Sequence, residues 1–396
     1  MRRMLTPALM MAALTAANLA HGAGFGIYEW SPSHNATGGT GKPVDAAVAV
    51  INPSAMTELS GTRLLVGASY IRPGSTVSAM GRSWDMKSQS FLIPNLYATS
   101  QLNDQFWLGF STTSEFGLGT RFEKGWFGNW SNIETTLETV TVSPTLAFAA
   151  NDWLSLGAGP RIMYLDFYNK RNIGAPSPLI LHGDSIGYGG IASALVKFGE
   201  LLKIKEEINF SLVYRSEVKH SLSGKARSAG VLHGDAAGNV RLPAATTAGL
   251  NWQASEKLNL GVSATYTEWS SYENLGIKIN RRGIPTQKRW QDVWRLGAGA
   301  SYQLNDMFTL MAGYVYDEDP SNSNYADYML PPGNRHLLNA GVGCALNPNI
   351  DLTFGYTFIY MQTEFAMVHA PTGAYVPSKF KDSNAHVISA ALAYKF

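Results

Sequence analysis

Ser185 stands inside Gly183-Asp-Ser185-Ile-Gly187, a spacing that in hydrolases lifts a serine nucleophile onto a tight turn between a strand and a helix. Here a loop runs into a glycine-rich alternating stretch, so the strand-to-helix turn is not expected and neither is an enzyme. His182, His220, His233, His336, His369 and His386 fall mostly in loops or at strand ends, without metal-ligand spacing. More informative are two cations within alternating apolar stretches. Arg161 shares its parity with Met163, Leu165 and Phe167, which puts one guanidinium and three apolar side chains on one face of an extended segment. Such a face can meet a carboxylate at one end and hold a hydrocarbon chain along the rest; an arginine tied to an internal acid is the plainer alternative. Arg215, on the stretch that begins at Ile208, has the same parity and is the second candidate. No metal and no cofactor is expected.

The elements that must position these residues are strands. From residue 62 onward one unit repeats: an alternating strand, a tight polar turn, and another alternating strand. Short Asn/Asp-type connections stand at Gln101–Trp107, Ala150–Trp153, Ala254–Leu258, Leu304–Phe308 and Asn347–Asn349, with a longer one near Gly199–Glu207. Longer stretches rich in Gly, Pro, Ser and charge lie near 74–87, 116–132, 169–183, 220–241, 281–288, 318–334 and 365–383. Seven long loops alternating with six short turns connect fourteen strands, an even number with both chain ends on the short-turn side.

Faces can be assigned within the strands. Ile350, Leu352, Phe354, Tyr356, Phe358 and Tyr360 alternate with Asp351, Thr353, Gly355 and Thr357, and the apolar set is expected to meet lipid. Val140, Val142, Leu146 and Phe148 split likewise from Thr139, Thr141, Ser143 and Thr145. Leu154, Leu156, Ala158, Ile162 and Tyr164 take the lipid side of their strand, which turns Arg161 and its apolar companions inward. The chain ends on Phe396, with Tyr394, Leu392, Ala390 and Ile388 on the same face, as a strand read by barrel-assembly machinery would. A final strand pairing with the first is what closure requires, because an open edge cannot sit in lipid.

Composition narrows the class to the same answer. Only 15% of residues are charged, yet no later run of about 18 apolar residues exists to form a membrane helix. Arg2 and Arg3, the apolar run from Met4 to Ala17 and the small residues near Ala20-His21-Gly22 have the order of a secretory leader over residues 1–22, with Ala23 as the mature start. Without Arg2 and Arg3 the 31 basic residues fall to the 29 of the acidic set, so nothing favours nucleic acid or a polyanion. Cys344 is the only cysteine and excludes a disulfide within the chain. Residues 23–61 break the strand rhythm with Gly38-Gly39-Thr40-Gly41, a helix-prone Asp45–Val50 stretch and Asn52-Pro53. They are expected to form a plug in the bore of a barrel spanning 62–396.

These residues are also recognisable as a set. Ala23-Gly-Phe25, Glu29, Asp45-Ala46 and Asn52-Pro53 resemble the N-terminal hatch signature of the FadL/TodX (OMPP1) family. Phe116-Gly-Leu118, Trp126-Phe-Gly128, Val142-Ser-Pro144, Trp290-Gln-Asp-Val-Trp-Arg295, Ala312-Gly-Tyr314 and Asp317-Glu-Asp-Pro320 follow in family order over the mature chain. The resemblance implies an all-β fold, a 14-stranded antiparallel transmembrane barrel with an N-terminal hatch in its lumen. It implies passive uptake of hydrophobic small molecules across the outer membrane, long-chain fatty acids first and monoaromatic or other hydrocarbons as the alternative. Capture among external loops, an apolar lumen pocket built on Arg161, Met163, Leu165, Phe167 and Arg215, and lateral release complete that expectation. Phe25, Glu29, Asp45, Asn52, Pro53 and Ser54 would carry the gating. The expected partners are the ligand, lipopolysaccharide and other outer-membrane lipids, and the assembly machinery, around a monomer. Ser54 departs from the family's Asn-Pro-Ala motif, and the chain is shorter than its fatty-acid members, chiefly in the loops that choose the ligand. The rivals of other classes are a general porin and an outer-membrane lipase.

Overall fold

The computed structural model describes residues 24–40, 44–174, 177–228, 231–283, 287–370 and 373–396, and within these leaves the side chains of 231–233 and 282 undescribed. The expected leader, Ala23 and Gly41 lie outside the described residues. Among the rest, alternation has done what it predicted: fourteen antiparallel strands close into a barrel.

The ring runs in chain order. It consists of β1 (Thr62–Ala79), β2 (Arg82–Asp85 and Phe91–Gln101), β3 (Phe106–Thr113 and Gly117–Arg121) and β4 (Glu134–Ala149). Next come β5 (Leu154–Arg171), β6 (Leu179–Lys197), β7 (Ile208–Arg215 and Val218–Ser228), β8 (Val231–Leu242 and Ala245–Gln253) and β9 (Leu258–Thr267). Then follow β10 (Val293–Gln303), β11 (Phe308–Asp317), β12 (Arg335–Asn347), β13 (Ile350–Met361 and Glu364–His369) and β14 (Tyr375–Lys395). β14 returns to β1 in a register from Arg63↔Lys395 to Ala79↔Ser378, which leaves no free edge at the chain ends.

The short turns close by one repeated device. Asn103 Oδ1 accepts hydrogen bonds from the amides of Gln105 and Phe106, both at 2.9 Å. Asn151, Asn305 and Asn347 each accept from the residues two and three positions on, in the same way. On the other side, the stretches expected as loops at 74–87, 220–241 and 365–383 are largely strand. There β1–β2, β7–β8 and β13–β14 continue as hairpins beyond the apolar belt. Outside lipid the outward face no longer needs apolar side chains, so Gly, Ser and charge replace them and the alternation fades from the sequence.

The outward face carries the apolar side chains. Leu338 and Ile388 are each 57% exposed and Phe354 is 51% exposed, in a continuous band of Val, Leu, Ile, Phe and Tyr that water would not tolerate and lipid would.

Residues 24–40 and 44–60 lie against the inner face of this wall. Ser31 caps the first helix, α1 (Pro32–Ala36), by accepting from His34 N at 3.3 Å, with proline at its start. A second short helix, α2 (Val48–Ile51), runs into a 3-10 turn at Pro53–Glu58. α1 packs on β11, β12 and β13, while the 3-10 turn packs on β3 to β6. Contact is close because the wall offers glycine at the points of approach. A Cβ on Gly299 or Gly313 would overlap the backbone of Thr37 and Gly38, and one on Gly157 would overlap Pro53 and Ser54. A Cβ on Gly341 would sit 2.5 Å from that of Ala36.

Candidate functional site

Met163, Leu165 and Phe167 are buried on the inner face of β5, the face their parity assigns. They join Leu181, Leu222, Leu275, Ile277 and others in one apolar cluster in the upper lumen. A small apolar cavity of about 30 Å³ opens among Phe167, Leu181, Leu222, Leu275 and Ile277. Burial of this much hydrocarbon inside a barrel distinguishes it from a porin bore, which is lined by polar groups.

Phe25 fills the centre of that cluster. Its ring lies 4.8 Å from Trp269, 5.2 Å from Tyr272, 5.6 Å from Trp290 and 6.2 Å from Phe116, mostly edge to face. The preceding Gly24 reaches this position with φ +57° and with Trp269 and Trp290 against its α-carbon, so a side chain there meets both strain and collision. The Gly24 carbonyl accepts from Arg335 Nη2 at 3.1 Å, and Arg335 with Arg295 flanks the buried carboxylate of Asp317.

Beside Phe25 the wall is interrupted. β2 pairs with β3 only over Leu96–Gln101, and the upper piece of β3, Gly117–Arg121, pairs only with β4. Phe91–Asn95 therefore has β1 on one side and no ladder on the other, until Lys87 N donates to Arg121 O at 2.8 Å above the gap. Ser114, Glu115 and Phe116 turn inward from this break. Their backbone finds the N-terminal segment instead: Ile27 N donates to Glu115 O at 2.8 Å and Gly117 N to Phe25 O at 2.7 Å, around an antiparallel Gly26↔Phe116 bridge.

Both candidate arginines face inward and both are occupied. Arg161 Nη2 and Nε donate to Glu115 at 2.5 and 3.2 Å, and Nη1 donates to the Ser216 carbonyl at 3.0 Å. It thus ties the break in β3 to the one in β7, on the plainer of its two sequence readings. Arg215 Nη2 donates to the carbonyls of Val50 and Ile51 at 2.5 and 3.0 Å, and its guanidinium lies 4.6 Å above the Trp30 ring. It holds the C-terminal end of α2 to the wall.

A further buried cation, which strand parity does not reach, lies elsewhere. Lys288, missed because it falls in a stretch that reads as loop, is buried and salt-bridged to Asp327 near the Phe25 cage, with Arg171 in electrostatic reach of the same carboxylate. Glu115 was missed too. Its one sequence signal is that Ser114-Glu115-Phe116 breaks the alternation of the strand around it.

The remaining N-terminal residues are structural ties. Glu29 is buried, accepts from Tyr28 N at 3.1 Å, and has its carboxyl raised above the ordinary value by that burial. Asp45 accepts from Ser33 Oγ at 2.6 Å and Ala47 N at 2.9 Å. Ser54 Oγ donates to Asn52 Oδ1 at 2.6 Å while its amide donates to Ser193 Oγ at 2.8 Å, so the departure from alanine adds an internal bond to the Asn52-Pro53-Ser54 turn. Below this segment lies a cavity of about 550 Å³ whose lining includes Arg63, Asn209, Arg215, Asn251, Asp306 and Asp351. Leu59, Leu195, Val213, Met307 and Met311 line it as well, so the lumen is greasy above the segment and mixed beneath it.

Ser185 does contact a histidine, His220 Nδ1 at 2.8 Å, but it sits in the middle of β6 and the other ring nitrogen of His220 has no partner. A nucleophile elbow and an orienting acid are both missing from that pair. Among the described residues no cluster of His, Cys, Asp and Glu is arranged to hold a metal.

The family model described as outer membrane protein transport protein (OMPP1/FadL/TodX) matches residues 13–396. A long-chain fatty acid transport protein of Escherichia coli O6:H1 is 26% identical over 411 residues, covering 90% of this chain and 91% of the relative. A 47 kDa outer membrane protein of Pasteurella multocida is 23% identical, with 80% of this chain and 81% of the relative covered. Among solved structures, a Pseudomonas aeruginosa FadL homologue has a TM-score of 0.85 at 20% identity, covering 94% of this chain and all of the other. The Pseudomonas putida toluene transporter TodX has a TM-score of 0.72 at 15% identity, with 93% and 98% covered.

Proposed function

We infer the cargo and its route from one premise: the chain belongs to the OMPP1/FadL/TodX family of outer-membrane transport proteins. It is an outer-membrane barrel, and we propose that it admits long-chain fatty acids passively, by capture among the external loops, transfer to the apolar upper lumen and release through the wall.

One observation carries this reading. Phe25 to Ile27 both fill the aromatic cage and satisfy the backbone at the break in β3, so a single displacement of residues 25–27 vacates a ligand-sized apolar space and frees the edge beside it. The mixed lining below favours the sideways step. A hydrocarbon chain leaving the cage downward would exchange mostly apolar contacts for a cavity in which Asn209, Asn251, Asp306 and Asp351 stand among Leu and Met side chains, whereas the gap beside Phe91–Asn95 faces lipid. Movement is required by magnitude as well. Burying a methylene is worth roughly 0.8 kcal/mol, so about a dozen buried carbons gain on the order of 10 kcal/mol as an upper bound. A static site would not let go; release needs a second conformation that binds more weakly.

Fatty acids are favoured over neutral hydrocarbons by Lys288, a buried cation near the cage that can exchange Asp327 for a ligand carboxylate. The alternative cargo, a monoaromatic hydrocarbon, draws on the cage itself, since Trp269, Tyr272 and Trp290 suit a flat ring. In this reading residues 23–61 are the hatch, the protein acts as a monomer without catalysis or cofactor, and Phe396 serves recognition by the assembly machinery.

The deciding measurement is uptake of a radiolabelled long-chain fatty acid and of toluene by a deletion strain carrying the wild-type gene or one that keeps the leader but is truncated from Ala23 up to Glu29. Fatty-acid uptake by the wild type, lost on truncation while the barrel still runs as a folded species on an unheated gel, is the expected result. Undiminished uptake by the truncated chain would remove the hatch from the mechanism.

A further inference from the structure

The outward face of the β7–β8 hairpin changes character above the apolar belt. On β7 the last exposed apolar residue is Tyr214, 45% exposed, and on β6 it is Ile186, 56% exposed, just above Tyr188 at 71%. Above them the inward residues are mostly apolar, with Val218, Leu222, Val240 and Leu242 buried beside His220, while the outward set is polar apart from Ala237. Cross-strand partners on that face are Lys219↔Arg241, then Ser221↔Asn239, then Ser223↔Ala237. Lys278 joins from the neighbouring loop hairpin, where it pairs with Ala237 and is exposed.

Two of these facts are costly for an empty surface. Lys219 and Arg241 stand directly opposite each other, an arrangement that like charges disfavour. Only Lys219 has an acid close by, Glu217 at 3.1 Å, and both cations are exposed. Four residues further up, about 14 Å along the strands at 3.4 Å per residue, Lys278 repeats the charge, with Ser221 and Asn239 between as neutral hydrogen-bonding groups. Besides Glu217, the acids of this face are Asp235, engaged by Lys225 at 2.5 Å, Asp184 on β6, opposite Ser223, and Asp166 on β5, opposite Asp184 and contacted by His182 at 2.8 Å.

We propose that Lys219, Arg241 and Lys278 with Ser221 and Asn239 form a docking site for the phosphorylated sugar headgroup of an outer-leaflet glycolipid. Charge complementarity selects the phosphates, the serine and asparagine side chains suit sugar hydroxyls, and position fixes the source. A site above exposed Tyr214 and beside exposed Tyr188 and Ile186, at the upper rim of the lipid side of the wall, meets a headgroup whose acyl chains lie along the belt below. A headgroup bound here would also bridge β7 and β8 where the hairpin leaves the membrane.

The test is native mass spectrometry of the full-length protein released from detergent micelles containing diphosphoryl lipid A, dephosphorylated lipid A, or diphosphoryl lipid A with millimolar inorganic phosphate. Wild type should retain diphosphoryl lipid A, lose the dephosphorylated form, and be unmoved by free phosphate. Lys219→Ala/Arg241→Ala should lower retention at least tenfold, and Lys219→Glu/Arg241→Glu should abolish it, while Lys203→Ala/Lys205→Ala at the opposite end of the barrel changes nothing. All are exposed positions, and an unheated gel verifies folding. Equal retention of the two lipid A forms, displacement by phosphate alone, or a double-alanine variant that binds like wild type would each overturn the assignment.

Discussion

The carboxylate of Glu115 accepts from Arg161 Nη2 at 2.5 Å, with neither side chain more than 4% exposed. The acid belongs to the inward turn in β3 and the base to the regular strand β5, so an irregular piece of wall is moored to a regular one through a charge pair in a greasy lumen.

That mooring makes the pair a test of what shapes the gap. Arg161→Ala strands a buried carboxylate and should cost about 3–5 kcal/mol, read as a lower thermal transition in detergent. Arg161→Met with Glu115→Leu removes both charges together and should recover most of that loss. A single variant as stable as wild type would mean that the pair holds nothing.

Phe25 and cargo compete for the same cage. Phe25→Ala should therefore tighten binding of a long-chain fatty acid by roughly tenfold or more, because the ligand no longer has to displace a ring held by several aromatic contacts. Titration calorimetry on the purified barrel reports it. Unchanged affinity would place the ligand elsewhere.

Gly299→Val should drive the first helix off the wall, since its side chain would overlap the Thr37 backbone. Single-channel recording in a planar bilayer is the readout: near-silent for wild type, steady ion current for the variant. A silent variant would show that the seat tolerates bulk.

Lys288 separates the two cargo classes. Lys288→Met should reduce fatty-acid uptake by about tenfold, the loss of roughly 1.4 kcal/mol of carboxylate pairing, and leave toluene uptake near wild type. Equal effects on both would deny the lysine a part in choosing the cargo.

What the sequence disclosed follows from what repeats. Strand number and faces were legible because lipid imposes a period of two on every membrane-crossing strand, and the short turns were legible because Asn103, Asn151, Asn305 and Asn347 close them alike. Arg161, Met163, Leu165 and Phe167 were placed inside by the same parity. Their company was not legible. Glu115 lies 46 positions from Arg161, and nothing local connects them. Arg215 binds carbonyls, which carry no residue identity at all. Lys288 sits where composition says loop, yet its amide is tied to the Glu273 carbonyl next to Tyr272 of the cage, and the hairpins beyond the belt were hidden because solvent on the outer side erases the alternation that marks a strand.

The leading segment rests on glycines from both ends of the chain's own order, Gly157 on β5 and Gly341 on β12. Neither half of the cylinder offers a complete mould for it. The segment emerges first from the ribosome, yet it can seat only after the last staves have arrived, so during biogenesis it must wait as an unburied thread. A cell making this protein therefore inherits a timing problem: whatever escorts the nascent barrel has to keep its head free until its tail has closed the circle.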